Sequence, residues 1–556
     1  MCSFIGFIVL YGTLKSRNTK DVDSYLRAGR TSKWWIVALS IMATQASAIT
    51  FLSTPGQAYV DGMRFVQFYL GLPIAMIILS ITAVPIYNKL NVYTAYEYLE
   101  KRFDLKNRML GSALFLTQRG LAAGFTIYAP ALILSVILGW EMNITIIIVG
   151  ATVILYTTVG GTVAVNKTHF LQMIIITIGM FAAFFVLISL LPDEVSLFDA
   201  AYIAGKMGKL NAIDFSFDFN NPYTFWSGII GGSFLMLSYF GTDQSQVQRY
   251  LSGSSVAQSR LALLANGLIK VPMQFIILFI GAMVFVFFQF YTPPLFFNPI
   301  EEEKVKSGKY GVEYQSIEEE YSELHHRKQK ELKLLVTSLA DENSEMTKNR
   351  TDLIVETQEK ADELKREAIE IIKKSDPKAD SSDTNYIFLT FIINFLPVGF
   401  VGLLIAAILS ASMSSTSAEL NALASTTVID FYKRLFRQNA DDHHYLKVSK
   451  MATVFWGIYA ISFALLAKEL GSLIEAVNIL GSLVYGTILG IFLTAFYLKK
   501  VTGTPTFFSA IIAEIVVLYC YLFTKIPFLW YNLIGCLIVV VGAFLLSKFL
   551  NIKSMV

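Results

Sequence analysis

Hydroxyl side chains are concentrated in one segment of this chain, in a pattern that suits a cation. The segment IAAILSASMSSTSAELNALASTTVIDFYKR covers residues 405–434. Within about two helical turns it carries six hydroxyls, those of Ser410, Ser412, Ser414, Ser415, Thr416 and Ser417. Sodium is a hard cation that prefers oxygen donors, so hydroxyls and backbone carbonyls can hold it without a formal charge. Tight packing of small residues against a neighbouring helix is the alternative explanation.

A second polar window lies near the N-terminal end, in WWIVALSIMATQASAITFLSTPGQAY (residues 34–59). Gln45 stands there among Thr44, Ser47, Thr50 and Ser53, just before a Pro-Gly pair. A glutamine inside a membrane is costly unless it finds a partner. We therefore predict that both polar segments are helices broken near the middle of a membrane, where freed carbonyls face a cavity.

Ionisable residues inside apolar segments are candidates for binding a solute. Arg119, in LFLTQRGLAAG, can bind a carboxylate through two parallel hydrogen bonds, or its side chain can reach back to the membrane surface. Asp243, in GTDQSQ, has Arg249, Lys270 or a solute hydroxyl or amine as possible partners. No partner can be identified from the sequence for Glu419 or Glu514. Arg119 favours an organic anion as the solute.

The composition of the chain that carries these residues is typical of a membrane protein. Of its 556 residues 54% are hydrophobic and only 16% are charged, whereas a soluble protein has about a quarter charged residues. A helix of about 20 apolar residues crosses a bilayer. Together with the N-terminal segment 1–14, the apolar stretches predict about thirteen spans of an all-α polytopic membrane protein. These stretches are 34–57, 64–88, 109–138, 143–165, 170–192, 223–243, 262–291, 386–413, 449–468, 474–498, 505–524 and 527–550.

The basic residues predict the orientation of these spans in the cell membrane. Short loops that carry many lysines and arginines face the cytoplasm. This places the N-terminus outside and the C-terminus in the cytoplasm. The loops that we assign to the cytoplasm contain Lys15, Arg17, Lys20, Arg27, Arg30, Lys33, Lys101, Arg102, Lys106, Arg108, Lys167, Arg249, Lys433, Arg434, Arg437, Lys499 and Lys500.

The same orientation places the highly charged stretch 299–385 outside the cell. Its sparse apolar residues recur at helical spacing, which predicts two antiparallel helices that project from the membrane. It divides the chain into 1–298, which holds an extra first helix, a first repeat and the start of a second, and 386–556, which holds the remainder. The insertion is either a solvated element without a role in transport or a docking site for an extracytoplasmic partner.

The composition argues against other classes of function. The sequence has five histidines, no phosphate-binding loop and no paired carboxylates at a catalytic spacing, so we predict that the protein is not an enzyme. It has no basic cluster of the kind that binds nucleic acid. None of its three cysteines forms a pair with metal-ligand spacing.

Several motifs in fixed order resemble the sodium/solute symporter family, which includes sodium–glucose, sodium–iodide and sodium–monocarboxylate symporters. The resemblance covers nearly the whole chain outside 299–385 and is closer to the iodide and monocarboxylate branch. It implies a LeuT-like core of two inverted five-helix repeats, with the second repeat starting near 223–243. The motifs are DSYLRAGR (23–30), STPGQAYVDG (53–62), TAYEYLEKRF (94–103), IYAPALIL (127–134), YTTVGGTVAV (156–165), YFGTDQSQVQRYLS (239–252) and LASTTVIDFYKR (423–434).

The resemblance also implies a sodium site between the two polar segments. Its ligands would be backbone carbonyls of Ala43, Ala46 and Ala411 and the hydroxyls of Ser414 and Ser415. Relatives with a second sodium site have an aspartate where this chain has His169, and an imidazole cannot replace an anionic oxygen. We therefore predict one sodium ion per cycle. His169 itself is either a hydrogen-bonded histidine at the membrane interface or a residue with a proton-linked role.

The resemblance assigns the solute to a central cavity and the mechanism to alternating access. The function predicted is sodium-coupled import of a small organic solute, with an organic anion favoured. A sugar or polyol, or a sensor that has lost transport, are the alternatives. The candidate solute-binding residues are Gln45, Thr50, Gln67, Tyr69, Arg119, Asp243 and Gln244.

Overall fold

A computed structural model describes residues 32–90, 92–340, 344–466 and 471–553, without the side chains of 160–172, 340, 344 and 550–553. Within these ranges the chain is helical, and its one β-bridge joins Ser32 to Gly253. Nine helical segments in the same ranges are long and apolar enough to cross a membrane, and three shorter apolar helices accompany them. The prediction of an all-α polytopic membrane protein is confirmed. The predicted span 1–14 lies outside the described residues.

The first half of the chain contains eleven helices, which we number in chain order. A 3₁₀ helix over Gly62–Tyr69 follows α2, and a π-helical turn over Ser227–Gly231 precedes α9. The helices are α1 Trp34–Gln45, α2 Ala48–Asp61, α3 Gly71–Ile81, α4 Ala83–Leu90, α5 Glu97–Arg102, α6 Leu105–Leu138, α7 Met142–Ser189, α8 Leu197–Lys206, α9 Gly232–Gly241, α10 Gln244–Tyr250 and α11 Val256–Phe290.

The second half contains nine more helices, and a π-helical segment over Thr427–Phe436 extends one of them, α16. They are α12 Pro299–Ser307, α13 Gly311–Ala340, α14 Ser344–Ser375, α15 Thr384–Phe395, α16 Val398–Thr426, α17 Asp442–Leu466, α18 Leu473–Tyr497, α19 Gly503–Phe523 and α20 Phe528–Lys553.

The first polar segment is broken as predicted. Helix α1 ends at Gln45 and α2 begins at Ala48, and Ser47 between them has an extended backbone with φ −80° and ψ 178°. The last carbonyls of α1 therefore have no partner further along the same helix, because a helix leaves its last four carbonyl groups unpaired. This break leaves backbone acceptors inside the membrane.

The prediction of a break in the serine segment is wrong. Helix α16 runs without interruption from Val398 to Thr426. Two of its hydroxyls bond within the helix: Ser415 donates to the carbonyl of Ala411 (2.9 Å) and Thr416 to that of Ser412 (2.8 Å). Serine and threonine that bond back one turn are compatible with a continuous helix.

The second break lies instead between α9 and α10. Thr242 caps the end of α9, and Asp243 has an extended backbone and caps the start of α10, where its side chain accepts a hydrogen bond from the Ser245 backbone N–H. A buried aspartate at the start of a helix is the residue type that such a break requires. The family resemblance placed this segment at the start of the second repeat, but the sequence did not predict that the helix is broken there.

Helix α7 also differs from the sequence prediction. The two spans predicted over 143–165 and 170–192 form one helical segment of 48 residues, Met142–Ser189. The side chain of His169, which lies in this segment, is outside the described residues. Its proposed replacement of a second-site acid stays a prediction.

The charged stretch forms α12 and an antiparallel pair, α13 and α14, which we call the hairpin. Apolar residues of its own, including Tyr314, Ile317 and Ile371, form a small separate core. Leu332 and Val336 join the main membrane core instead. The hairpin is therefore packed against one end of the helix bundle, where Gln329 donates to the carbonyl of Phe290 at the end of α11 (2.9 Å).

Candidate functional site

A small cavity of about 80 Å³ lies beside the first helix break, in the middle of the bundle. Polar, aromatic and charged side chains line it together. Such a mixture of apolar walls with a few convergent polar groups is typical of ligand sites. The lining residues are Thr44, Gln45, Ser47, Ile49, Thr50, Phe68, Tyr69, Arg119, Thr126, Leu235, Met236, Tyr239, Glu419, Ile474, Val477, Asn478 and Tyr485.

Arg119 is at the centre of an ion cluster beside this cavity. Its Nη1 donates to Glu419 Oε1 (3.0 Å), its Nε donates to Asp243 Oδ2 (3.1 Å), and its Nη2 contacts the same Asp243 oxygen. Nη2 also donates to the Tyr485 hydroxyl (2.6 Å). The guanidinium carbon lies 5.4 Å from the ring centre of Tyr239. All three ionic side chains are buried, so the attraction of Arg119 to each carboxylate is weakly screened.

This cluster corrects two expectations from the sequence. Asp243 pairs with Arg119 and not with Arg249 or Lys270. Arg119 does not reach back to the membrane surface, because α6 begins at Leu105, about four turns earlier. The side chain is 4% exposed.

Two carboxylates of the cluster differ in their surroundings. Asp243 Oδ1 accepts from the Ser245 backbone N–H (2.8 Å) and from the Ser245 hydroxyl (2.6 Å), and Oδ2 accepts from Tyr485 (2.9 Å). Among the described residues, Glu419 accepts from Arg119 and, through Oε2, from Thr126 (2.9 Å). Glu419 lines the cavity, while Asp243 lies behind Arg119. Asp243 is thus the fixed counter-ion, and Glu419 is the carboxylate that faces the cavity.

The structure divides the candidate solute-binding residues into two groups. Gln45, Thr50, Tyr69 and Arg119 line the cavity. The other three candidates, Gln67, Asp243 and Gln244, are not part of the cavity lining as the structure describes it. The side chains of Gln67 and Gln244 hydrogen-bond to backbone groups of other segments. Gln67 donates to the carbonyl of Tyr223 (2.8 Å) and accepts from the N–H of Asp214 (2.9 Å).

Gln244 has the same role at the start of α10. It accepts from the backbone N–H of Ala95 (3.1 Å) and donates to the carbonyl of Tyr93 (2.8 Å). Its side chain is therefore fully occupied in holding the segment before α5 against α10. Buried amides with every group paired are structural more often than they bind ligands.

The five predicted sodium ligands lie on elements that pack against each other. Helix α16 contacts both α1 and α2. Ala43 and Ala46 belong to the broken end of α1, while Ala411, Ser414 and Ser415 follow one face of α16, and all five are buried. The Ser414 hydroxyl is buried and has no hydrogen-bond partner among the described residues. An unsatisfied buried oxygen is costly unless a ligand contacts it.

Contacts close the bundle on the hairpin side of the cavity. Ser472, before α18, donates to Gln57 Oε1 on α2 (2.8 Å), and Tyr223 donates to Glu475 Oε1 (2.5 Å). These bonds join α2 and the segment before α9 to the start of α18.

An ionic network closes the opposite end. Arg108 pairs with Asp430 (Nη2 to Oδ1, 2.6 Å) and with Glu100 (2.7 Å), and Arg434 also pairs with Glu100 (2.7 Å). Thr94 donates to the same Asp430 oxygen (2.8 Å). This network joins α5 and the start of α6 to the π-helical end of α16.

A larger cavity of about 830 Å³ lies elsewhere, between α8 and the hairpin. Lys206, Lys348 and Glu356 are among its lining residues. It is wide and polar, and it lies outside the membrane-spanning helices, so we do not treat it as the solute site.

Sequence reasoning missed most residues of the cavity wall as solute contacts, among them Thr126, Glu419, Asn478 and Tyr485. Glu419 carried a signal, since an acid in an apolar helix needs a partner. That partner is Arg119, 300 positions away in the chain, which periodicity and spacing do not reveal.

The sequence model of the sodium:solute symporter family matches residues 25–305 and 375–513 of the chain. It therefore covers both parts of the bundle and leaves out most of the hairpin. The sodium/sialic acid symporter NanT of Aliivibrio fischeri is 24% identical over 98% of this chain and 91% of its own length. The human sodium/iodide cotransporter is 31% identical over 51% of this chain and 43% of its own length. Mouse sodium-coupled monocarboxylate transporter 1 is 27% identical over 88% of this chain and 66% of its own length.

A solved structure has the same fold. The substrate-bound, outward-open structure of a Na⁺-coupled sialic acid symporter aligns with a TM-score of 0.73 at 22% identity, over 98% of this chain and 96% of the other. The expectation of a LeuT-like fold is confirmed by this likeness, since the alignment extends over nearly both whole chains.

Proposed function

The chain belongs to the sodium:solute symporter family, and within that membership we propose that it imports a small organic solute bearing a carboxylate, with one sodium ion per cycle. It is a sodium-coupled symporter and a multi-pass membrane protein, and not an enzyme. Its coupling ion is sodium. The proposal concerns the ligand positions, the class of solute and the stoichiometry.

We assign the sodium ion to the contact between the broken end of α1 and the middle of α16. Carbonyls of Ala43, Ala46 and Ala411 and hydroxyls of Ser414 and Ser415 would supply five oxygens, which suits a hard cation. The unpartnered, buried hydroxyl of Ser414 supports this assignment. A sodium ion at this place would hold α1 against α16, and its loss would free the two to separate.

We assign the carboxylate of the solute to Arg119. This guanidinium lines the cavity, and because Asp243 and Tyr485 hold its Nε and Nη2, its Nη1 is the group that would bind the carboxylate. The relatives named for sialic acid and for monocarboxylates carry acids, which agrees with this class. Glu419 occupies Nη1 of Arg119 in the structure, so the solute would enter between these two side chains.

A sugar or polyol is the alternative solute. Gln45, Thr50 and Asn478 line the cavity beside Tyr69 and could hydrogen-bond hydroxyl groups without any charge. Uptake of a sugar that is unaffected by replacement of Arg119 would favour this alternative over the carboxylate.

Sodium coupling through Ser414 and Ser415 is tested with purified protein in liposomes. An inward sodium gradient should drive accumulation of the solute, and Ser414→Ala combined with Ser415→Ala should raise the sodium concentration for half-maximal uptake by about tenfold or more. Ser425→Ala is the matched control, because Ser425 is also buried on α16 and bonds to its own helix through Asn421. An unchanged sodium dependence in the double variant would refute the site.

We also propose that the N-terminus and the hairpin lie outside the cell and the C-terminus inside. The cysteines in the described ranges, Cys520 and Cys536, are buried. In a Cys2→Ser background, a cysteine introduced at exposed Glu359 of the hairpin should react with a membrane-impermeant maleimide on intact cells, and one at exposed Arg437 should react only after lysis. The reverse pattern would invert the proposed topology.

A further inference from the structure

With both of its carboxyl groups ionised, the ion cluster of the cavity carries one excess negative charge. One guanidinium, that of Arg119, contacts two carboxylates, those of Asp243 and Glu419. Over the described ranges Arg119 is the only base within ion-pair distance of either acid. Lys270 does not compensate, because its Nζ is buried and has no hydrogen-bond partner in the same ranges. A buried charge without a counter-ion is strongly unfavourable, so the cluster should attract a cation.

The excess charge belongs to Glu419. Asp243 is saturated by Ser245, Tyr485 and Arg119 and lies off the cavity, so it neutralises Arg119 permanently. Glu419 is the carboxylate that faces the cavity, with a single ion-pair contact and the Thr126 hydroxyl. A positive group that entered the cavity would therefore meet Glu419 first.

Gln45, in the same wall of the cavity, has a side-chain oxygen without a hydrogen-bond donor. The side-chain oxygen of Gln45 is buried and accepts no hydrogen bond among the described residues, while the amide belongs to the cavity lining. Tyr239 and Tyr69 present aromatic rings to the same space. Acceptor oxygens and ring faces around one carboxylate are the surroundings that an ammonium group prefers.

We propose that the solute carries an ammonium group beside its carboxylate, as an amino acid does, and that Glu419 and Gln45 bind this ammonium while Arg119 binds the carboxylate. The inference rests on the proposed function and narrows its class of solute. A zwitterion that enters between Arg119 and Glu419 replaces one ion pair by two and leaves each of these side chains with a partner. An acid without an ammonium group would instead place a third negative charge beside Asp243 and Glu419.

The sodium ion completes the same charge balance. Glu419 lies four residues after Ser415, on the same face of α16 and about 6 Å further along the helix. One sodium ion at Ser415 therefore compensates the charge of Glu419, and a solute of zero net charge keeps the centre neutral. Sodium and a zwitterion should consequently bind cooperatively, while sodium and a simple acid leave one negative charge.

Thermal stability of the purified full-length protein tests the inference. Each of the twenty standard amino acids is added with and without sodium, since a ligand of the native state raises the unfolding temperature. The best stabiliser is then compared with two analogues of the same side chain, the α-hydroxy acid and the amino acid amide. The amino acid should bind about 10- to 100-fold more tightly than the hydroxy acid, because the hydroxy acid leaves Glu419 unpaired.

Glu419→Gln separates the ammonium contact from the rest of the site. It should weaken binding of the amino acid by about 10- to 100-fold and should not weaken binding of the hydroxy acid, because the like charge beside the carboxylate of the hydroxy acid is removed. Glu419→Asp keeps the charge and should keep the preference for the amino acid. Glu514→Gln is the matched control, since it makes the same change in a half-buried acid of another spanning helix, α19, away from the cavity.

Three results would overturn the inference: equal binding of the hydroxy acid and the amino acid to the unaltered protein, an unchanged preference in Glu419→Gln, or stabilisation by lactate, glucose or sialic acid but by no amino acid. The response to sodium alone tests the proposed function separately. If sodium stabilises the protein through Ser414 and Ser415 while no amino acid binds, the sodium site stands and the zwitterion does not.

Discussion

Replacement of Arg119 should destabilise the protein far more than replacement of either acid that it contacts. Arg119→Leu removes four hydrogen bonds and leaves Asp243 and Glu419 buried without a counter-ion. Breaking a buried ion pair in this way costs about 3–5 kcal/mol. Because two carboxylates would then face each other, the upper end of this range applies.

Glu419→Gln should destabilise the same cluster only slightly. It leaves Arg119 and Asp243 as a balanced pair, and the amide oxygen of the new glutamine can still accept from Arg119. The loss of stability should stay below about 1 kcal/mol, since one charged hydrogen bond becomes a neutral one. Asp243→Asn should fall between the two variants, because Asp243 also caps α10 through Ser245.

The unfolding temperatures of the three variants in detergent, without sodium or solute, test this order of destabilisation. Arg260→Leu is the control for the loss of an arginine, because Arg260 is exposed and its Nε donates only to the carbonyl of Ser80 (2.8 Å). Combining Arg119→Leu with Asp243→Asn and Glu419→Gln should recover at least half of the loss, since no charge then remains. If Arg119→Leu unfolds at the same temperature as Glu419→Gln, the cluster does not hold the charges described.

Three further predictions concern regions outside the cavity. Deleting residues 311–375 and joining the ends with a short Gly-Ser linker should preserve sodium-driven uptake, since the family match leaves out most of this stretch; complete loss of uptake in a protein that still unfolds cooperatively would contradict this. Asp430→Asn should cost about 2 kcal/mol in thermal unfolding, because Arg108 loses one of its two buried partners, whereas exposed Asp352→Asn should cost nothing measurable. Burial lowers the pKa of His325 in the hairpin to about 3 from an unfolded value near 6.5, so the unfolded state binds the extra proton and stability falls as pH drops from about 6.5 toward 3. Relative to His325→Phe, the unaltered protein should lose about 2 kcal/mol between pH 7.5 and pH 5, and equal pH profiles would count against a buried neutral histidine.

Much of this protein follows from its sequence alone. The length and spacing of apolar stretches determine the spanning helices, because a bilayer requires about 20 apolar residues and satisfied backbone in each. The polar window around Gln45 predicted a real break between α1 and α2, whereas the cluster of hydroxyls on α16 did not mark one. The hairpin follows likewise from its charge and helical periodicity.

Only the tertiary structure determines which buried charged side chains contact each other. Arg119 contacts Asp243 from 124 positions away and Glu419 from 300 positions away, and no local pattern contains those separations. It also decided that the second break falls at Asp243 and not in the serine helix, because hydroxyls on α16 can bond to their own helix while a capping carboxylate has to find a free N–H. Local sequence determines where helices form; the pairing of buried charges depends on which helices become neighbours.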